Sequence, residues 1–228
     1  MMTSLVLVLL AAAPKEGSYT FEGGSGSLVL GKGRFTIEVV GANAHLCQLS
    51  GEWKGERGVV NDDGERCEVT FAAAGDQVKV SGEGEACRSY CGARAYFDGT
   101  YLLPPKGCSG PEVKKTRADF KKLYDAKRFA DAVATLTPLV QRCEAVIDRF
   151  DRAWIRNDLA IAQHHAGDDK SCLATLEGLA DYRDAPPNEP VGFEPSYEEL
   201  HTRLAKATRT NATRCGFTWP APAKKDAR

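Results

Sequence analysis

The sequence predicts an α+β protein in which an N-terminal all-β meander, forming a small barrel or sandwich, is followed by an all-α domain of about five helices. Three observations lead to this prediction. Residues 14–107 hold 17 of the 22 glycines, whereas residues 108–228 hold 5. Apolar residues alternate with polar ones in the first part, which is the period of a strand. In the second part they recur every three or four residues, which is the period of a helix.

Residues 1–13 form an apolar segment that we interpret as a secretory signal peptide. The run from Leu5 to Ala13 is shorter than the roughly 20 residues that a transmembrane helix needs, and it ends in small residues that signal peptidase accepts. No Lys or Arg precedes the run and Pro14 follows it, so the cleaved bond is left open. A buried N-terminal strand or helix is the alternative, but the run shows neither the period of two of a strand nor the 3.6-residue period of a helix.

Residues 14–103 are predicted to form an antiparallel β domain. Phe35, Ile37 and Val39 alternate with polar residues, and further runs of the same kind follow. This period of two places one face of each strand inward and the other in water. Glycine-rich and Asp-Gly turns separate the runs at hairpin lengths, so we expect a meander of about six to eight short strands.

Residues 104–111 are predicted to be a linker between the two domains. The segment opens with Pro104 and Pro105, and paired prolines disfavour helix and favour an extended connector. The helical domain is then expected over residues 112–215, with residues 216–228 as a C-terminal tail.

The helical domain shows one long apolar stripe and four shorter ones. The long stripe advances by four and three residues in turn, and its members are Phe129, Val133, Leu136, Val140, Cys143, Ile147 and Phe150. It predicts a single helix that Pro138 kinks or splits. Further helices are expected near 120–124, 155–166, 172–179 and 197–207. Gly167 and Asp168 are predicted to separate two helices, and Ser196 with Glu199 matches a capping box.

Part of this domain, residues 112–184, resembles the tetratricopeptide repeat. The residues that carry the resemblance are Leu123, Tyr124, Phe129 and Ala132 in one helix-turn-helix segment, and Leu159, Ala160, Gly167 and Asp168 in the next. The domain is thus helical-repeat-like, with two imperfect repeats and a fifth helix as a cap. The resemblance implies a protein- or peptide-binding surface on the concave side, and it assigns no individual binding residue.

Eight cysteines indicate disulfides and an oxidising compartment, which favours a secreted or periplasmic protein. They are Cys47, Cys67, Cys87, Cys91, Cys108, Cys143, Cys172 and Cys215. A zinc site needs several cysteines or histidines in closely spaced pairs, whereas only Cys87 and Cys91 are close. Three residues separate these two, so a thioredoxin-type Cys-x-x-Cys motif is also absent.

Four cysteines fall in each half, so we expect no disulfide between the halves. Cys47 and Cys67 each begin an inward alternation, which predicts a bond across a hairpin. Cys143 and Cys172 lie on apolar stripes of helices that we expect to be neighbours. The predicted bonds are Cys47–Cys67, Cys87–Cys91, Cys143–Cys172 and Cys108–Cys215.

No catalytic residue, cofactor or metal site is predicted. The sequence has no nucleophile elbow, phosphate-binding loop or His-Glu-x-x-His motif. His164 and His165 are adjacent, about 100° apart on a helix, and therefore cannot chelate one ion together. The 30 Lys and Arg residues balance 31 Asp and Glu residues, so we expect neither nucleic acid nor stable membrane insertion after signal removal.

The β domain carries four candidate partner-binding residues, Trp53, Tyr90, Arg94 and Tyr96. Strand-like alternation places Arg94 and Tyr96 on one face and Phe97 on the other, and exposed aromatic and Arg side chains are common anchors of protein interfaces. Ordinary packing in a small barrel is the alternative.

Together these observations favour a secreted or periplasmic, non-catalytic scaffold that binds a protein or peptide partner. The alternative is a secreted inhibitor of a hydrolase, such as a cell-wall lytic enzyme. In that case the segment 51–58 would insert Trp53 or an acidic side chain into the cleft of the enzyme.

Overall fold

The computed structural model describes residues 13–62, 65–185 and 195–219. The predicted signal peptide, apart from Ala13, and most of the predicted tail lie outside these ranges. The described residues form an eight-stranded antiparallel barrel followed by helices, which confirms the α+β prediction. Among the described helices, none has the length and hydropathy of a membrane span.

The barrel is a closed meander. Its strands are β1 (Gly17–Phe21), β2 (Gly26–Gly31), β3 (Arg34–Val40), β4 (Leu46–Lys54), β5 (Arg57–Asp62), β6 (Glu65–Ala74), β7 (Gln77–Glu83) and β8 (Gly99–Leu102). Each strand pairs with the next, and β8 pairs with β1, so the sheet has no free edge. Phe35, Ile37 and Val39 are at most 3% exposed, whereas Glu38 faces solvent.

One end of the barrel is covered by the segment between β7 and β8. We call residues 84–98 the cap; it contains the short helix α1 (Glu85–Arg88). Cys87, Ala95 and Phe97 of the cap are buried in the same core as the strands. Turns of a meander alternate between the two ends, so the turns after β2, β4 and β6 lie at the opposite end.

The helices are α2 (Gly110–Asp125), α3 (Phe129–Arg142), α4 (Arg149–His165), α5 (Asp169–Glu177), α6 (Ala180–Asp184) and α7 (Glu198–Arg214). Five of them have nine residues or more, in agreement with the predicted number. Gly167 and Asp168 separate α4 from α5 as expected, and the Asp168 carboxylate accepts a hydrogen bond from the Ser171 amide. The capping-box prediction is wrong, because Ser196 lies in a 3-10 turn and Tyr197 is the N-cap of α7.

The prediction of one helix from Phe129 to Phe150 is also wrong. Helix α3 continues past Pro138 to Arg142, and residues 143–148 then form a separate non-α-helical segment before α4. Within this segment, the carbonyl of Ala145 accepts a hydrogen bond of 2.8 Å from the Gly23 amide, which belongs to a turn of the barrel. This tertiary contact overrides the helical period.

Contacts divide the chain into two compact units. The first contains the barrel up to Ser109 together with Cys143–Asp148, and the second contains Gly110–Arg142 and the chain from Arg149 onward. We call the second one the helical unit.

Four disulfides join all eight cysteines, and none links the two predicted halves. The bonds are Cys47–Cys91, Cys67–Cys87, Cys108–Cys143 and Cys172–Cys215. The predicted partners are therefore all wrong, although the restriction to one half is confirmed.

Strand order explains the error in the barrel. Cys47 on β4 and Cys67 on β6 both point inward, but β5 lies between them. Two strand spacings amount to about 9.6 Å, which exceeds the Cα separation of a disulfide. The cap instead brings Cys91 and Cys87 to these two strands, at Cα separations of 4.1 and 4.6 Å.

Candidate functional site

The cap exposes two of the predicted binding residues, Tyr96 and Arg94. Tyr96 is 59% exposed, and the Arg88 guanidinium lies 4.5 Å from the centroid of its ring. The same guanidinium donates hydrogen bonds to the carbonyls of Ala95 and Ala93, at 2.8 and 2.9 Å. Arg88 thereby fixes the backbone around Tyr96, and sequence reasoning did not single it out. Arg94 is exposed in the same segment.

The structure does not bring Trp53 to this surface. Trp53 lies next to the turn after β4, at the barrel end opposite to the cap. Its half-buried ring packs against the barrel core, and its indole N–H donates a 2.8 Å hydrogen bond to the Gly55 carbonyl. Tyr90 also packs against the core, from the cap side.

A depression of about 90 Å³ lies beside Tyr96, with Arg88 and Asp98 among its lining residues. Pockets for small organic ligands usually measure about 300–1,000 Å³. The cap therefore suits a contact with a protein surface better than the enclosure of a small molecule.

The helical unit contains a second candidate surface, which depends on the arrangement of α2, α4 and α7. Phe150, at the start of α4, contacts His201, near the start of α7, with ring centroids 5.1 Å apart. Further along, the Asn157 amide donates to the Thr208 hydroxyl and the Asn211 amide donates to Asn157, both at 3.0 Å. Helices α4 and α7 are therefore parallel neighbours, held in register by buried polar groups.

On the side toward α2, helix α4 presents residues seven positions apart, namely Asp151, Asp158 and His165. The Arg117 guanidinium on α2 pairs with the Asp151 carboxylate at 2.6 Å. The carboxylate of Asp158, two turns further on, has no hydrogen bond to any described residue. It is half-buried, so part of its hydration is lost without a replacement.

Burial raises the pKa of Asp158 from 3.8 to about 6, although the positive charge of Arg117 acts in the opposite direction. Burial disfavours the charged form of a carboxyl group, and Arg117 offsets only part of this effect because Asp151 lies closer to it. An acid whose ionisation is costly is a common feature of functional sites.

Arg117 and Tyr124 on α2 interact electrostatically with this carboxyl group, and His165 and Arg214 in turn interact with Tyr124. Burial raises the pKa of Tyr124 on α2; the charge of Arg214, just at the end of α7, lowers it and that of Asp158 raises it. The pKa of His165 is lowered by partial burial, by His164 and by Arg214. We define the Asp158 cluster as the six residues Arg117, Tyr124, Asp151, Asp158, His165 and Arg214.

A metal site at the end of α4 is not supported. His164, Asp169 and Cys215 place ligand atoms within 4.8 Å of one another. However, Cys215 is bonded to Cys172, so it offers no thiolate. The His164 ring instead pairs with the Asp169 carboxylate at 2.6 Å. These side chains are thus accounted for by structural contacts.

Replacing Asp158 by Asn is expected to stabilise the protein at neutral pH. The folded-state pKa is raised, so the cost in folding free energy grows as the pH rises from 3.8 to about 6 and is complete above that. The cost is absent below about pH 3.8, where the group is protonated in both the folded and unfolded states. We expect Asp158→Asn to raise the free energy of unfolding by about 1–3 kcal/mol at pH 8 and to leave it nearly unchanged at pH 4.

Urea unfolding of both proteins across this pH range measures the effect. The difference between variant and wild type removes the contributions of other titrating groups. A difference that stayed constant between pH 4 and pH 8 would show that Asp158 ionises as freely in the folded protein as in the unfolded chain.

The sequence held a partial signal for this cluster. Asp151, Asp158 and His165 recur at intervals of seven residues, which places polar side chains along one side of a helix otherwise described by its apolar stripe. Only the packing of α2 and α7 shows that this side is partly buried. Comparisons of the chain with protein-family models, curated proteins and solved structures give no match, so the chemistry of these side chains carries the functional inference.

Proposed function

We propose that the chain is a secreted or periplasmic, non-catalytic binding protein that holds a protein or peptide partner on its helical unit. The observation that carries the proposal is the Asp158 carboxyl group, which is half-buried, lacks a hydrogen bond to the described residues and is costly to ionise. A carboxyl group in this environment lowers the stability of the folded state, and a role in binding a ligand accounts for its presence.

The disulfides support the extracytoplasmic part of the proposal. All eight cysteines are bonded, and structural disulfides of this number form in oxidising compartments. The apolar segment at residues 1–13 is the sequence feature that would direct export.

The helix arrangement supports the binding part. Helices α2 to α5 pack in consecutive order, and α7 lies parallel to α4. The tetratricopeptide repeat, which residues 112–184 resemble, implies a protein- or peptide-binding surface on the concave side. We assign this surface to the side of the helical unit on which α2, α4 and the end of α7 contribute the Asp158 cluster.

Selection of a random dodecapeptide library on the full chain, with its disulfides formed, tests the proposal. We expect enriched peptides whose affinity falls about tenfold or more in Tyr124→Leu, a variant that keeps an apolar side chain but loses the phenol and changes the face of α2. Tyr96→Ala on the cap is the matched control, and it is expected to bind these peptides as the wild type does. Failure to enrich any peptide, or equal binding by Tyr124→Leu, would contradict the proposal.

Inhibition of a hydrolase is the second candidate function, and the cap rather than Trp53 favours it. Tyr96 stands exposed on a segment that two disulfides and Arg88 hold against the barrel. Rigid loops of this kind suit insertion into an enzyme cleft, because little conformational entropy is lost on binding. If the selected peptides lost affinity for Tyr96→Ala but still bound Tyr124→Leu, the binding surface would lie on the cap, and this second function would be favoured instead.

A further inference from the structure

We infer that Asp158 is the recognition group for a cationic side chain, lysine or arginine, of a bound peptide. The inference rests on the proposed function and adds to it the charge of the residue that the helical unit selects. It depends on three features of the Asp158 cluster, namely its free acceptor, its balance of charge and its aromatic wall.

The free acceptor is the carboxylate of Asp158. Arg117, the basic group whose charge acts on Asp158, already donates to Asp151 at 2.6 Å, so its guanidinium is paired with another acid. Asp158 has no hydrogen bond within the described part of the chain, and its half-buried position limits how much water can replace one. An ammonium or guanidinium donor from a ligand would supply the missing charge-assisted hydrogen bond.

The charges around Asp158 favour a cation over an anion. Arg117 and Tyr124 on α2 interact directly with Asp158. Around them, Asp151 on α4 pairs with Arg117, and Arg214 at the end of α7 acts on Tyr124 and His165. Arg117 and Asp151 neutralise each other. The charge of Arg214 thus acts on the neighbours of Asp158, whereas the only charge among the described residues that acts on Asp158 itself is that of Arg117. The folded environment also keeps His165 neutral more readily than water does. An anionic group placed beside Asp158 would therefore meet a carboxylate, whereas a cationic group would complete a pair.

The aromatic wall is the ring of Tyr124. It packs against the rings of Phe120, Phe129 and His165, with centroids 5.7, 5.4 and 5.8 Å away, and these neighbours restrict its movement. A lysine or arginine side chain that reaches Asp158 can lay its methylene groups and its charge against such a ring. The combination of one carboxylate and one aromatic face matches a basic side chain, whereas a metal ion needs several ligand atoms around one point.

This arrangement makes binding depend on pH. Protonation of Asp158 removes the charge that a basic side chain recognises, and the pKa of about 6 places this loss between pH 7.5 and pH 5. We expect affinity for a lysine-containing peptide to decrease as the pH falls from 7.5 to 5, because the fraction of ionised Asp158 decreases.

The test uses peptides selected on the wild-type chain at pH 7.5 and synthesised in two forms, one with lysine and one with Nε-acetyl-lysine. Acetylation keeps the length of the side chain and removes its charge. We expect acetylation of one lysine, or Asp158→Asn in the protein, to weaken binding by about 10- to 100-fold. The two changes together should cost little more than either alone, since both remove the same pair.

Asp131→Asn is the matched control, because Asp131 is an exposed acid that pairs with Arg128 near the start of α3, outside the cluster. It should bind the selected peptides as the wild type does. Thermal unfolding of Asp158→Asn at pH 7.5 verifies that loss of binding is not loss of folding. If no peptide is enriched, the proposed function and this inference both fail. If peptides bind but contain no required lysine or arginine, or bind Asp158→Asn equally well, the inference alone is wrong.

Discussion

Replacing Cys172 and Cys215 together by alanine is expected to lower the free energy of unfolding of the helical unit by about 4 kcal/mol. The two residues are 43 positions apart, and the figure follows from the loop entropy that such a crosslink removes from the unfolded chain. The bond joins the first turns of α5 to the residue after α7, so it also holds one end of α7 against the rest of the unit. Without it, α7 depends on its packing against α4, α5 and α6.

Hydrogen exchange measures this effect for each unit separately. Amides of α4 and α7 should lose protection in the double variant, while amides of the barrel strands should keep theirs, because Cys172 and Cys215 both belong to the helical unit. The barrel bond Cys67–Cys87 provides the reciprocal control. Its separation of 20 residues predicts a loss of about 3 kcal/mol, confined to the barrel. Equal loss of protection in both units would show that they unfold as one.

Replacing Phe71 by alanine is expected to destabilise the barrel by about 3–5 kcal/mol. Phe71 is completely buried, and its ring meets that of Phe35 edge to face, with centroids 5.2 Å apart. Removing the ring leaves a cavity that the closed sheet can fill only in part, since strands in a closed barrel are paired on both sides. Urea unfolding measures the loss.

A substitution at Gly58, which lies against the same two rings, provides a second test of the packing around Phe71. A methyl group at Gly58 would lie 2.6 Å from a ring carbon of Phe35 and 2.7 Å from one of Phe71, so Gly58→Ala alone should cost about 1–3 kcal/mol through overpacking. In the Phe71→Ala background one of these two clashes is gone and the added methyl fills part of the cavity. We therefore expect the double variant to be at least about 1 kcal/mol more stable than the sum of the single changes predicts. Strict additivity would mean that the two sites do not share a cavity wall.

The cap illustrates how much of a candidate site can be read from sequence. The alternation through residues 94–97 predicts that Tyr96 faces away from Phe97, and the structure has Phe97 2% exposed and Tyr96 59% exposed. The contacts of Arg88 that support Tyr96 were not predictable in the same way. Arg88 reaches the ring of Tyr96 and the carbonyls of Ala93 and Ala95 only because the cap folds back on itself.

By itself, the sequence determined the features of this protein that depend on local periodicity and backbone chemistry. The period of two specified the barrel strands around Ile37, and the period near 3.6 specified that about five longer helices follow, although not where α3 ends. Gly167 with Asp168 marked the end of one helix and the start of the next. These features arise from side chains within a few residues of one another, so no knowledge of distant contacts is needed.

Only the tertiary structure decided which distant segments meet. It placed β5 between Cys47 and Cys67, ended α3 before Cys143, and partly buried Asp158 between helices. Each outcome depends on the packing of elements far apart in the chain, and neither alternation nor helical period specifies the neighbour that an apolar face will find. The same limit applies to the binding surface, because the burial that makes Asp158 costly to ionise exists only once the helical unit has assembled.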